Sequence, residues 1–152
     1  MVTSNASIEI ARRPEDVYAF AVDPLNHPKW DPSAVSAQRE NPALEVGTKT
    51  RVVHKMGPFK APFIEEVVEL DAPRAFTTRG TSGPLVGVAR CTIEPLNNGQ
   101  RSRVTIALDI EARGVGKLLF PLARRNARKV LPKNLAVLKT VLDPATVPVR
   151  SS

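Results

Sequence analysis

The chain is 152 residues long, 42% hydrophobic and 24% charged, with a formal net charge of +7. That length suits one domain with one sizeable core and is short for two, and no apolar run is long enough to span a bilayer. Cys91 is the single cysteine, which excludes an internal disulfide and a multi-cysteine zinc site. The two histidines, His27 and His54, lie far apart without metal-ligand spacing, so no metal is expected. The N-terminal stretch has no apolar signal core, which points to a cytoplasmic protein.

In chain order, Ile8 and Ile10 mark a first strand. Pro14-Glu15-Asp16 opens a short helix, because proline at a first helical turn loses no hydrogen bond and acids suit the positive end of the dipole. Val17, Phe20 and Ala21 form the apolar side of that helix, with Tyr18 on its exposed side. Asp23-Pro24 breaks it, and a second short segment runs to Trp30, the only tryptophan. Residues 34–39 read as a strand, and Asn41-Pro42 with Gly47 as a turn.

From Thr48 to Met56 the chain alternates, with Thr50, Val52, His54 and Met56 on one face. Gly57-Pro58 turns into a strand from Phe59 to Leu70, where Pro62 implies an edge position or a bulge. A turn at Asp71-Ala72-Pro73 leads to a strand from Phe76 to Gly80. After Ser82-Gly83-Pro84 comes a strand from Leu85 to Glu94, with Leu85, Gly87, Ala89, Cys91 and Ile93 on one face. Asn97-Asn98-Gly99 is a strong turn signal, and Val104, Ile106, Leu108 and Ile110 alternate in a half-buried strand.

Between about Val115 and Leu142 the period becomes helical. Leu118, Leu122, Leu131, Leu135, Leu138 and Leu142 form a stripe, and Pro132 predicts a kink or interruption near Val130-Leu131. Asp143-Pro144 ends the helix, leaving residues 144–152 as a flexible tail to a single domain over 1–143. A sheet with one apolar face needs a cover, and this helix carries the only long apolar stripe. The predicted fold is therefore α+β: an antiparallel sheet of six to seven strands curled around a long C-terminal helix, with two short helices after the first strand. Thr50, Thr78, Gly80, Gly87, Ala89 and Cys91 are small for core positions, so a cavity is expected.

The segments Pro14 to Phe20, Asp23-Pro24 with Pro28-Lys29-Trp30, Leu70 to Phe76, the Leu96 to Gly99 turn and the terminal helix resemble the polyketide cyclase/dehydrase branch of the START-like (SRPBCC, Bet v 1-like) helix-grip superfamily. The resemblance spans about Ser7 to Leu142. It implies the helix-grip fold, no cofactor, and binding or carriage of a hydrophobic, lipid- or polyketide-like small molecule. Its alternative implication is cyclase or dehydratase chemistry.

The expected cavity wall combines Thr50, Val52, Met56, Thr78, Leu85, Gly87, Ala89, Cys91, Val104 and Ile106 from the sheet with Leu131 and Leu135 from the helix. Phe20 and Trp30 belong to the core or to the same wall. For catalysis, His54 suits acid/base work, because its unperturbed pKa lies near neutrality and it shares the lining face. Glu66 could join it if a bulge near Pro62 turns the even-numbered residues inward. A two-residue turn pairing Met56 with Phe59 turns the odd-numbered residues inward instead. His27, Arg79 and Arg90 read as surface, and Cys91 as a small buried core residue.

Arg113, Lys117, Arg124, Arg125, Arg128, Lys129, Lys133 and Lys139 follow one another with no acid between. They form a solvated helix face, or one with weak electrostatic contact to anionic membranes. Nucleic acid fits poorly, since Phe120 is the only interleaved aromatic.

Overall fold

The computed structural model describes residues 2–41, 43–56, 58–80, 85–112 and 116–143, apart from the side chains of 2–3, 56, 59, 85, 111–112, 116–124 and 126–127. Seven strands form one antiparallel sheet: β1 (Val2–Ile10), β2 (Ala34–Arg39), β3 (Lys49–Met56), β4 (Phe59–Asp71), β5 (Ala75–Gly80), β6 (Leu85–Leu96) and β7 (Arg101–Ala112). Their order is β1-β7-β6-β5-β4-β3-β2, a meander that β1 closes by pairing with β7. The expected tail and the residues Arg113 and Ser82 to Pro84 lie outside the described residues.

Helix α1 (Pro14–Ala21) starts as its sequence predicts, with Pro14 at the first position and Glu15 and Asp16 in the first turn. Its buried side differs: Val17, Tyr18 and Ala21 point into the core, and Tyr18 meets Phe76 edge-on at 5.9 Å. Phe20 is half-buried and packs against the core margin. Positions 17, 18 and 21 fall within about 100° of one another around a helix, so Tyr18 shares the buried side with Val17 and Ala21. Asp23 accepts a hydrogen bond from Leu25 N–H and opens a short 3₁₀ turn, Pro24–Asn26. That turn leads into α2 (His27–Trp30).

The β3–β4 hairpin decides which side chains face the interior. Met56 pairs with Phe59, Val52 with Phe63 and Thr50 with Glu65, so odd-numbered residues of β4 share the face of Thr50, Val52 and His54. The bulge lies between Val67 and Glu69, not near Pro62. Beyond it the parity changes, and Leu70 packs on the core. Pro62 sits where β4 is paired by β3 alone, since β5 reaches only from Glu65 to Asp71, so the missing N–H costs no ladder bond there. The β6–β7 turn follows its signal: Asn97, Asn98 and Gly99 take φ values of 50°, 55° and 83°, a left-handed run that asparagine and glycine tolerate best.

Helix α3 runs as one helix from Gly116 to Leu142, so the interruption expected at Pro132 does not occur. Pro132 and Arg128 are both exposed. The carbonyl deprived of its donor therefore lies on the solvent side, where water can replace the bond. Leu131, Leu135, Leu138 and Leu142 are buried in the core with Ile10, Val104, Ile106 and Phe76. The end of α3 is tied to β1 by Lys139 Nζ donating to Glu9 O at 2.9 Å and Ala11 N–H donating to Asp143 Oδ2 at 3.2 Å. The helix packs over β1, β7 and α2, which leaves the middle of the sheet facing a gap.

Candidate functional site

That gap is a hollow of three adjoining volumes of about 320, 300 and 70 Å³, which share Glu65, Thr78 and Ala89 as lining. The largest is walled by Ala89, Ile106, Leu108 and Ile110 of the sheet and by Val130 and Leu131 of α3. The smallest reaches down to Trp30, Thr50, Phe76 and Cys91. Volumes near 300 Å³ are at the small end of pockets that enclose organic ligands. Small side chains make the space: Gly80, Gly87, Ala89 and Thr78 stand where larger residues would fill it.

One wall is polar. Asp31, just after α2, is buried and collects several donors. His27 Nε2 lies 2.9 Å from its Oδ2, while Ser33 N–H and Ser33 Oγ reach its Oδ1 at 3.0 and 2.7 Å. Lys55 N–H donates to Ser33 O at 2.7 Å, which pins this loop beside β3. His54 on β3 thereby comes within 3.2 Å of Ser33 Oγ through Nδ1. Its Nε2 faces Glu65 Oε1 at 3.8 Å. The His54 ring stands edge-on to Phe63 at 5.4 Å and to His27 at 5.8 Å, and His27 stacks on Trp30 at 5.4 Å.

These contacts set the charges. Burial alone would raise the Asp31 pKa, but the hydrogen bond and charge of His27 and the Ser33 donors outweigh it and hold the carboxyl at about 2. Burial alone would lower the His27 pKa, yet its bond to Asp31 leaves it raised. Glu65 is likewise lowered against burial by the facing His54 and the charge of His27. The wall thus presents ionised carboxylates at the edge of an apolar space. Trp30 Nε1 is buried with no hydrogen-bond partner among the described residues.

Of the residues expected at the site, Trp30, Thr50, Thr78, Gly87, Ala89, Cys91, Ile106, Leu131 and His54 line the hollow. Val52, Val104 and Leu135 are core residues that do not border it among the described lining, and Phe20 packs at the core margin. The side chains of Met56 and Leu85 lie outside the described residues. Glu66 faces away from the hollow, 3.8 Å from Arg79 on the opposite face of the sheet. Glu65 takes the inward position, because the Met56–Phe59 turn sets the register and the bulge comes only after it. His27, read as surface, is half-buried beside Asp31. The signal for it was its place before Trp30 in a broken helix, but only the folded chain brings that loop against β3.

Over residues 1–143 the chain matches the family described as polyketide cyclase/dehydrase and lipid transport. No curated protein matches it. Among solved structures it is similar to TTHA0849 from Thermus thermophilus, with 20% identity, a TM-score of 0.77, and 93% of this chain and 97% of that one covered. It is also similar to a START superfamily protein from Mycobacterium smegmatis, with 17% identity, a TM-score of 0.76 and coverage of 92% and 96%. A third is the di-domain ARO/CYC BexL of the BE-7585A biosynthetic pathway, at 16% identity and a TM-score of 0.70, where 95% of this chain matches 48% of that one. The fold is START-like, and the match along nearly the whole described chain places it: the protein belongs to the polyketide cyclase/dehydrase and lipid transport family.

Proposed function

We propose that this protein binds a hydrophobic small molecule, lipid- or polyketide-like, in the hollow between the sheet and α3, with a polar group of the ligand at the His54–Glu65 wall. The observation that carries this reading is the juxtaposition of apolar walls (Ile106, Leu108, Ile110, Val130, Leu131) with one charged wall around a space of about 320 Å³. Burial supplies affinity, and the few polar groups orient the ligand. Native mass spectrometry of gently purified protein tests it: a retained mass that dissociates as an apolar molecule is expected. Retained ligands that are all charged, strongly hydrophilic metabolites would overturn it.

A second reading is proton-transfer chemistry on a polyketide-like substrate, as the cyclase/dehydrase part of the family description and the ARO/CYC neighbour suggest. The observation favouring it is the His54–Glu65 pair at 3.8 Å, an acid/base couple on the rim of an apolar site. In this reading His54 moves the proton and Glu65, rather than Glu66, orients the imidazole.

We also propose a weak electrostatic contact of α3 with anionic membranes. Arg125, Arg128, Lys129 and Lys133 are exposed on α3, and its leucine side is committed to the core. The attraction is then electrostatic, without insertion.

A further inference from the structure

We infer that His27, Asp31 and His54 form a binding site for one divalent transition-metal ion of the zinc or cobalt class at the polar wall of the hollow. The two histidines are the only ones in the chain, and the fold brings both to one carboxylate. One ligand atom from each of His27, Asp31 and His54 can be chosen so that all three lie within 4.8 Å of one another. The His27–Asp31 and His54–Asp31 separations are 2.9 and 4.0 Å. Metal–ligand bonds of about 2.0–2.2 Å put neighbouring ligand atoms roughly 3–3.5 Å apart, so small side-chain adjustments close the set.

Two further observations point to a cation. Glu65 faces the far nitrogen of His54, Nε2, at 3.8 Å. A carboxylate on that side favours the tautomer that carries its proton on Nε2, with the Nδ1 lone pair on the side of Asp31, and a carboxylate behind the far nitrogen is what supports a metal-bound histidine. Ser33 Oγ donates its one proton to Asp31 Oδ1 at 2.7 Å and lies 3.2 Å from His54 Nδ1, so in the Nε2-protonated tautomer Nδ1 is left as an unserved acceptor. A cation between Asp31 and His54 serves the acceptor that the hydroxyl cannot. Two imidazoles and a carboxylate suit zinc, cobalt or ferrous iron rather than magnesium or calcium. With three protein ligands the fourth position faces the hollow, which shares His27, Asp31 and His54 as lining. The site goes beyond the ligand-binding reading and does not depend on it.

The test uses the full untagged chain, treated with a chelator and titrated with Co²⁺ at neutral pH without any organic ligand. One equivalent is expected to bind with visible d–d absorption and to be displaced by Zn²⁺. His27→Gln and His54→Gln should each abolish the band while circular dichroism stays native, and Glu65→Gln should weaken binding by about 10–100-fold. If a glutamine variant fails to fold, the wild-type chain still decides, because shifted imidazole resonances of the Co²⁺ complex can come only from His27 and His54. Absence of the visible band in the wild type, or a band that persists unchanged in folded His54→Gln, would overturn the inference.

Discussion

His54 Nε2 and Glu65 Oε1 face each other at 3.8 Å on neighbouring strands, although Glu65 is paired in register with Thr50 and His54 with Ala61. The contact therefore runs along the sheet face rather than straight across it. It exists only because the β3–β4 hairpin pairs Met56 with Phe59. A register slip by one residue would turn Glu65 to solvent and bring Glu66 in.

If the protein is an enzyme, His54→Ala lowers turnover on an identified substrate by about 10²–10⁴-fold, the usual contribution of a positioned acid/base group. Glu65→Gln lowers it less, and Glu66→Gln leaves it unchanged. Steady-state kinetics of the three variants separates the inner carboxylate from the outer one. Equal losses for the Glu65 and Glu66 variants would remove the register argument.

The grip of α3 on the sheet is tested by one residue of its leucine stripe and one apolar residue off it. Leu135 is 1% exposed and Val141 38% exposed. Truncating Leu135 to Ala should cost about 2–5 kcal/mol in urea unfolding, and Val141→Ala should stay within about 0.5 kcal/mol. Similar costs for both would mean that the helix does not seat as described.

Much of this architecture was legible in the chain because two-residue alternation and a leucine stripe are strong local signals. The strands, the two short helices and the covering helix follow from them, as does the inward face of β3 with Thr50 and His54. The parity of β4 was not legible, since Pro62 allowed a bulge and the actual bulge, between Val67 and Glu69, leaves no distinctive residue. The polar wall was also hidden. His27 and Asp31 lie in a loop whose partner, His54, comes from a distant strand, so spacing in the chain carried no sign of their meeting.

Cys91 is 3% exposed, and burial pushes its thiol up to about 12. A thiol reagent should therefore leave the native chain unmodified and label it once unfolded. The raised folded value also has a linkage consequence. The unfolded chain loses this proton near the ordinary value of 9.0, so the stability contribution is fully present below that pH and declines as pH rises toward about 12. Cys91→Ala should lose less stability than the wild type between neutral and alkaline urea titrations. Native-state labelling at neutral pH, or identical alkaline losses, would contradict the burial of this thiol.

The exposed arginines and lysines of α3 predict binding to anionic vesicles of at most about 1 kcal/mol per basic residue, screened within a Debye length of about 10 Å at 0.1 M salt. Cosedimentation should fall to background as salt is raised from low to moderate. Binding that survives the salt would mean that an apolar segment inserts.

The proposed binding of an apolar ligand in the hollow between the sheet and α3 is tested most directly at Ala89. Ala89 lines all three of its volumes, so Ala89→Phe places a ring in the middle of the space. The decisive measurement is a fluorescence titration of wild type and Ala89→Phe with anilinonaphthalene sulfonate, alongside circular dichroism of both. A saturable, enhanced signal in the wild type that is lost in the folded variant is the predicted result. Unchanged affinity in a folded Ala89→Phe chain would contradict the account.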